Sequence, residues 1–416
     1  MQLKEKRWIL LAIACAINLC AGSIYVWSVF APALAERLTA LTGETITAGS
    51  LAVAFSLANA VGPVPMIAGG FVNDRFGPRW VVAGGGLLIG AGYALTGLAM
   101  SPLLLVLSYG LVFGIGLGFV YGCTINATMK FFPDHRGLAG GLTTAVYGLS
   151  SVILPPVAVW LISADGVEYA LLTLALVFTV VISGGGLFLM KCPPDFVKTL
   201  GEQKRGSRPA PAREEVNWRG MLASRRFWPM ILMLLSGGIP GMMVISHGLS
   251  IARELAGLSV PAAAGAVSMI ALANVGGRIV AGAASDRFGR LPALCGALLL
   301  SIAGLLPLWA ADGASVHLFW AGMILTGLSF GAFMGIYPGF TAEEFGGKNN
   351  SVNYGIMFLG FAFAGFVGPI AMGTLREAGL SYQTVCLMAC ALPLAGLVCA
   401  KAVSVCTAID MRRRAS

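Results

Sequence analysis

The chain has 416 residues, of which 57% are hydrophobic and only 11% are Asp, Glu, Lys or Arg, with a mean hydropathy of +0.84. Soluble domains carry about a quarter charged residues, so a water-soluble globule is excluded and lipid must be the solvent for much of the chain. The net charge of +9 calls for no nucleic-acid partner, because its placement along the chain reads as a membrane-topology signal.

Apolar stretches of about 20 residues, the helical length that crosses a bilayer core, predict twelve transmembrane helices. They fall at 8–30, 46–72, 79–99, 103–129, 137–162, 168–190, 227–251, 260–284, 291–311, 316–338, 350–374 and 381–405. The first follows Lys4, Lys6 and Arg7 and ends near Ala31-Pro32-Ala33, in the manner of a secretory signal. It exceeds 20 residues and carries Tyr25 and Trp27, so it reads as a retained helix. The nine cysteines lie inside or at the ends of these stretches and read as small apolar side chains.

The fourth stretch repeats glycine every four residues, at Gly110, Gly114, Gly118 and Gly122, spacing that lets helix backbones approach closely. Pro63 and Pro65, Pro155 and Pro156, and Gly237, Gly238, Pro240 and Gly241 are either bending points or sites of static packing. Residues 192–226 break the apolar pattern with KTLGEQKRGSRPAPAREEVNWRG and read as a cytoplasmic linker, partly disordered around Pro209 and Pro211. The expected domains are therefore a six-helix bundle at 1–191, the linker, and a second bundle with a short tail at 227–416.

With the N-terminus inside, only Arg37, Arg253 and Arg376 of the 27 basic residues fall in outside loops, Arg278 is within a helix, and the other 23 are inside or at inner helix ends. Cytoplasmic loops retain Lys and Arg during insertion. Both termini, with Arg412, Arg413 and Arg414 closing the tail, are expected in the cytoplasm of a multi-pass protein of the cell's inner (plasma) membrane.

The two halves repeat. Gly70, Asp74, Arg75 and Gly77 after the second stretch are answered by Gly282, Asp286, Arg287 and Gly289 after the eighth, at an offset of 212 residues. Glycines there permit close helix contact and a tight turn, while the Asp and Arg can form ionic locks to neighbouring helix ends. On this duplicated motif the sequence resembles the major facilitator superfamily. The resemblance covers essentially the whole chain and implies an all-α integral membrane fold, twelve helices in two pseudo-symmetric six-helix bundles around a cavity that opens alternately to each side.

Arg278 is the one clear charge inside the predicted helices, eight residues before Asp286, about 12 Å at 1.5 Å per residue. No acid in a helix core is available to pair with it, and burying such a group costs at least ~2.5–3.5 kcal/mol. An anion from outside is the natural partner, bound bidentately by the guanidinium; a snorkelling arginine is the other reading. Asn274, one turn earlier, can contact the ligand or make an interhelical bond. Tyr25, Tyr121, Tyr147, Tyr337 and Tyr354, with Phe330, Phe358 and Phe361 as apolar walls, can line one small cavity. His247, the only histidine far from a predicted loop, either takes part in proton coupling or is a hydrogen-bonded structural residue near the outer surface.

The runs AGSIYVW at 21–27, GIGLGFVYGCTINATMKFFPDHRGLAGGLTTAVYGL at 114–149, NVGGR at 274–278 and NYG at 353–355 are similar to the monocarboxylate-transporter and oxalate/formate-antiporter branch. That resemblance implies a substrate arginine at Arg278, cavity tyrosines at Tyr25, Tyr121 and Tyr147, and aromatic walls at Phe330 and Phe358. Oxalate exchangers carry a second cation, a lysine, seven positions beyond the Tyr of NYG; here that position is Phe361, which favours a monoanion over a dianion. The mammalian carriers have an Asp where this chain has Asn274, and a lysine in the first helix that is absent here, so their proton scheme does not transfer whole.

The expected function is secondary transport of a small monocarboxylate of the L-lactate or pyruvate type together with a proton, with organic anion exchange as the alternative. The chain would work as a monomer or weak dimer, with no cofactor or metal. An enzyme or a sensor is the remote alternative: there is no H-E-x-x-H, C-x-x-C or core acid, and linker and tail are short.

Overall fold

A computed structural model describes residues 3–193, 196, 215–313 and 315–415. Most of the expected linker at 192–226, with Pro209 and Pro211, lies outside the described residues, as do the side chains of Arg412, Arg413 and Arg414.

Among the described residues the chain is helical throughout. The first half holds α1 (Leu3–Ala21), a 3-10 turn at Gly22–Val26, α2 (Trp27–Thr42), α3 (Ala52–Val61), α4 (Pro63–Phe76), α5 (Arg79–Gly97), α6 (Pro102–Leu105), α7 (Gly114–Phe131), α8 (Arg136–Phe178) and α9 (Gly185–Phe188). The second holds α10 (Trp218–Ala223), α11 (Phe227–Ser246), α12 (Gly248–Ala256), α13 (Val260–Phe288), α14 (Arg290–Ala310), α15 (Val316–Phe345), α16 (Asn350–Glu377), α17 (Tyr382–Ala389) and α18 (Ala391–Ala415). Wide π turns at Val106–Phe113 and Thr179–Gly184 join α6 to α7 and α8 to α9.

Eleven of the described helical runs are long and apolar enough to cross a membrane, and one of them, Arg136–Phe188, has 53 residues. At 1.5 Å per residue that is about 80 Å, more than twice a bilayer core. Asp165 and Gly166 inside it leave helical geometry, so this run makes two crossings, matching the pair expected at 137–162 and 168–190. The seventh helix is shorter than expected: it stops at Ser246, and 248–256 is a separate helix with Ile251, Ala252, Leu255 and Ala256 buried and Arg253 and Glu254 exposed.

The chain packs as two compact units. Unit 1 comprises Met1–Ala139, Val146–Ala212 and Gly347–Ile356; unit 2 comprises Gly140–Ala145, Arg213–Gly346 and Met357–Ser416. In unit 1 the glycine stripe of the fourth stretch lies against α3 and α4. A Cβ on Gly110, Gly114, Gly118 or Gly122 would meet Leu57, Ala58, Gly62 and Met66 respectively. In unit 2, Gly237 and Gly241 of α11 receive the rings of Phe333 and Phe330, so they pack rather than bend. All nine cysteines are free thiols.

The duplicated turn shows why its residues recur. Gly77 and Gly289 both have positive φ, 96° and 91°, and both amides cap the preceding helix, on Asn73 and Ser285 carbonyls; only glycine adopts that conformation freely. Gly70 of unit 1 lies against the backbone of Ser351, and Gly282 of unit 2 against Gly141. Asp74 forms the ionic lock expected of it, to Lys130 at 2.7 Å, and also accepts the amides of Ser351 and Val352. Asp286 pairs with Arg290 at 3.3 Å. The arginines behave differently from expectation: Arg75 and Arg287 are exposed and stand over the rings of Phe76 and Phe288. Neither is in an ion pair among the described residues.

Candidate functional site

Arg278 is 2% exposed. The helix that carries it is held by close backbone approach. Gly327, Gly331 and Gly335 of α15 run along α13, and a Cβ on them would collide with the carbonyls of Ile270, Asn274 and Arg278. Gly277 lies in the same way against Leu328, and Gly141 against the Arg278 carbonyl. Such small-residue spacing fixes a helix at short range and leaves its side chains little room to shift.

The guanidinium makes two hydrogen bonds within unit 2, both to neutral acceptors. Nε donates to Asn274 Oδ1 at 3.0 Å and Nη1 donates to the Thr144 carbonyl at 2.6 Å. Arg278 is in no ion pair among the described residues, and Nη2 has no hydrogen bond there. The cation is thus oriented by polar groups that leave its charge intact. The Asn274 oxygen accepts from Arg278 along the same helix.

The aromatic candidates form two groups. In unit 1 Tyr147 lies between Tyr25, at 5.7 Å edge to face, and Tyr121, at 4.6 Å. Tyr25 rides on the 3-10 turn, which Ser150 fixes by donating to the Gly22 carbonyl at 2.7 Å. Tyr25 is 39% exposed and Tyr121 is buried. In unit 2 Phe361 lies between Phe330, at 5.7 Å, and Phe358, at 5.0 Å. Tyr337 is fully buried with its hydroxyl on the Met230 carbonyl at 2.7 Å, and therefore packs as a structural residue. Tyr354 is likewise buried.

His247 caps the end of α11, half-buried, with Nδ1 3.0 Å from Ser246 Oγ and its ring 6.3 Å from that of Tyr382. Burial first, and then the charge of Arg376, hold it below the ordinary histidine value, against the pull of the Met243 carbonyl. The loop between α7 and α8 holds Asp134, paired with Arg7 at 2.7 Å. Burial, the largest single influence, raises its pKa, but the hydrogen bond from Arg7, a backbone hydrogen bond and the charges of Arg7 and His135 together outweigh it, and the net shift is downward.

Several contacts escape a reading of the sequence. Arg226 and Glu344, 118 positions apart, form a buried ion pair at 3.0 Å, with Asp410 also 3.0 Å from Arg226. No local pattern marks such a pair. Thr144 acts through its backbone carbonyl, which every residue has. The Gly327, Gly331, Gly335 stripe, by contrast, has the same four-residue spacing as the stripe recognised in the fourth stretch.

Comparison with known proteins places the chain in a family. The chain is 27% identical to the oxalate:formate antiporter of Oxalobacter formigenes over 87% of its own length and 83% of that protein's. It is 29% identical to the human monocarboxylate transporter 11, over 94% of this chain and 81% of that one. The solved proton:xylose symporter superposes with a TM-score of 0.70 at 14% identity, covering 96% of this chain and 95% of the symporter, which speaks for the fold alone. The Major Facilitator Superfamily model matches residues 13–403. The chain belongs to the Major Facilitator Superfamily, as a multi-pass membrane transporter of small molecules rather than an enzyme.

Proposed function

We propose that this transporter carries a small monocarboxylate of the L-lactate or pyruvate type, with one proton, by alternating access of two six-helix bundles at 1–191 and 227–416 joined by the 192–226 linker. Arg278 binds the carboxylate. The observation that carries this reading is a buried guanidinium whose bonds among the described residues all go to neutral acceptors. With Nε engaged by Asn274 and one N–H of Nη1 by the Thr144 carbonyl, the remaining N–H groups of Nη1 and Nη2 are the part left for an anion, and one carboxylate fills it. Phe361 in place of a second cation supports a monoanion.

In this reading Asn274 orients Arg278, Phe330, Phe358 and Phe361 supply apolar walls, and Tyr25, Tyr121 and Tyr147 are substrate-binding tyrosines. The glycines and aspartates of the duplicated turn, Gly70, Asp74, Gly77, Gly282, Asp286 and Gly289, serve gating. An anion on Arg278 cancels its charge, so the loaded site crosses low-dielectric surroundings more readily than the empty one. The proton travels with the substrate, and His247 caps the end of α11. Both termini are cytoplasmic and the chain lies in the inner (plasma) membrane, as the placement of 23 of its 27 basic residues supports. It works as a monomer or weak dimer.

The test is uptake of labelled L-lactate into liposomes under an imposed inward proton gradient, for wild type and Arg278→Ala. Wild-type uptake collapses with a protonophore, and Arg278→Ala loses it. Undiminished uptake by the variant overturns the assignment of Arg278, and strong competition by oxalate overturns the argument from Phe361. Organic anion exchange is favoured by the likeness to the oxalate:formate antiporter; uptake stimulated by internal substrate and indifferent to a protonophore would decide for it.

A further inference from the structure

The repeated turn spends its aspartate and its arginine differently. Asp74 is engaged by Lys130 and two backbone amides, whereas Arg75 is exposed with its guanidinium 5.2 Å from the centroid of the Phe76 ring, itself 68% exposed. Four residues on, Arg79 opens α5, also exposed, beside Trp80 at 71% exposure. Just beyond α9, Lys191 reaches back and donates Nζ to the Arg75 carbonyl at 2.6 Å, and its Cβ stands 2.9 Å from where a Cβ on Gly77 would be. Three cations and two large rings are thereby gathered on one exposed turn of unit 1.

Several cations at helix ends are neutralised by carboxylates. Arg7 has Asp134, Lys130 has Asp74, Arg226 has Glu344, and Arg290 has Asp286 and Glu343. Among the described residues Arg75, Arg79 and Lys191 have no carboxylate partner. Unit 2 supplies an internal comparison. Its turn has the same exposed Arg287 over Phe288, at 5.5 Å, but its following arginine, Arg290, is neutralised by two carboxylates. The sequence motif is shared; among the described residues the arginine after the turn is neutralised in unit 2 and not in unit 1.

We propose that Arg75, Arg79 and Lys191, with Phe76 and Trp80, form a binding site for an anionic phospholipid of the surrounding leaflet. The headgroup phosphodiester accepts hydrogen bonds from the two guanidiniums and the ammonium. Phe76 and Trp80 lie at the boundary between headgroups and acyl chains, where amphipathic rings are favoured. A soluble anion would satisfy the cations but leave both rings in water, which is why the occupant is a lipid. The proposal rests on the turn lying at the membrane surface, and on neither Arg278 nor the transported substrate.

The experiment is native mass spectrometry of the purified full chain offered phosphatidylglycerol or phosphatidylcholine of the same acyl chains. Wild type retains phosphatidylglycerol at least fivefold over phosphatidylcholine. The triple variant Arg75→Gln/Arg79→Gln/Lys191→Gln falls to the phosphatidylcholine level, Phe76→Ala/Trp80→Ala loses at least threefold, and Arg287→Gln changes less than twofold. Should the triple variant fail to fold, Arg75→Gln and Arg79→Gln singly, at exposed side chains, each lose at least twofold. The proposal is overturned if the variants retain phosphatidylglycerol as wild type does, if Arg287→Gln loses as much, if phosphatidylcholine binds equally, or if millimolar inorganic phosphate displaces the lipid. A wild type that fails to transport lactate would leave each of these readings intact.

Discussion

The carboxylate of Asp74 accepts the backbone amide of Ser351 at 3.1 Å, 277 positions away in sequence and at the opening turn of α16. A negative charge at a helix N-terminus satisfies donors that the helix itself cannot, and the second oxygen of the same carboxylate is held by Lys130 at 2.7 Å. Asp74→Asn removes the charge and keeps the shape. It should cost about 1–2 kcal/mol, read as a lower thermal midpoint in detergent, and a double-mutant cycle with Lys130→Met should show coupling between the two positions. Additive losses would separate Lys130 from this interaction.

Asp134 makes stability depend on acid. Its folded pKa lies below the ordinary carboxylate value of 3.8, so its pair with Arg7 contributes fully above that value and is lost as pH falls through the lower folded one. The thermal midpoint of wild type should exceed that of Asp134→Asn at pH 6, and the difference should shrink on acidification below about pH 4. A difference that stays constant across that range would rule out the linkage.

Glycine substitutions should divide by what lies opposite. Gly331→Ala drives a methyl into the backbone at Asn274, whereas Gly296 on α14 has nothing within 4 Å. Gly331→Ala should destabilise by about 1–3 kcal/mol and weaken substrate binding through the displaced Arg278. Gly296→Ala should stabilise by about 0.5–1 kcal/mol, the helix-propensity gain. Paired thermal melts with and without lactate check both signs.

The ion pair of Arg226 and Glu344, side chains 9% and 5% exposed, should behave as a unit. Glu344→Ala leaves the buried Arg226 cation with the partly exposed Asp410 carboxylate alone among the described residues and should destabilise the fold, while the double replacement Arg226→Met/Glu344→Leu should recover most of that loss. Equal damage from the single and double variants would show that the charge itself is not the cause.

What was legible in the sequence follows from the range of the forces involved. Crossings were readable because hydrophobicity is summed over 20 residues, and Arg278 because a lone cation in such a window has no local remedy. The turn at Gly77 and Gly289 was readable because positive φ restricts residue choice at one position, twice. Arg226 with Glu344 was not, since pairing across 118 residues leaves no mark on either neighbourhood. Nor were the π turns at 106–113 and 179–184: a single extra residue in a uniformly apolar helix changes which face each side chain occupies without changing composition. The exposed Arg75 shows the complementary error. Its motif is shared with Asp74, yet neighbours on one turn point in different directions, and only coordinates separate them.

The return of the chain at Asp165 and Gly166 rests on one glycine with φ of +83° and open space around it. Lengthening a turn that nothing packs against adds only a slowly growing closure cost. An epitope spliced between those two residues would hang clear of both flanking helices, so antibody access to it in intact cells would report which face of the membrane this hairpin occupies while the transporter beneath went on working.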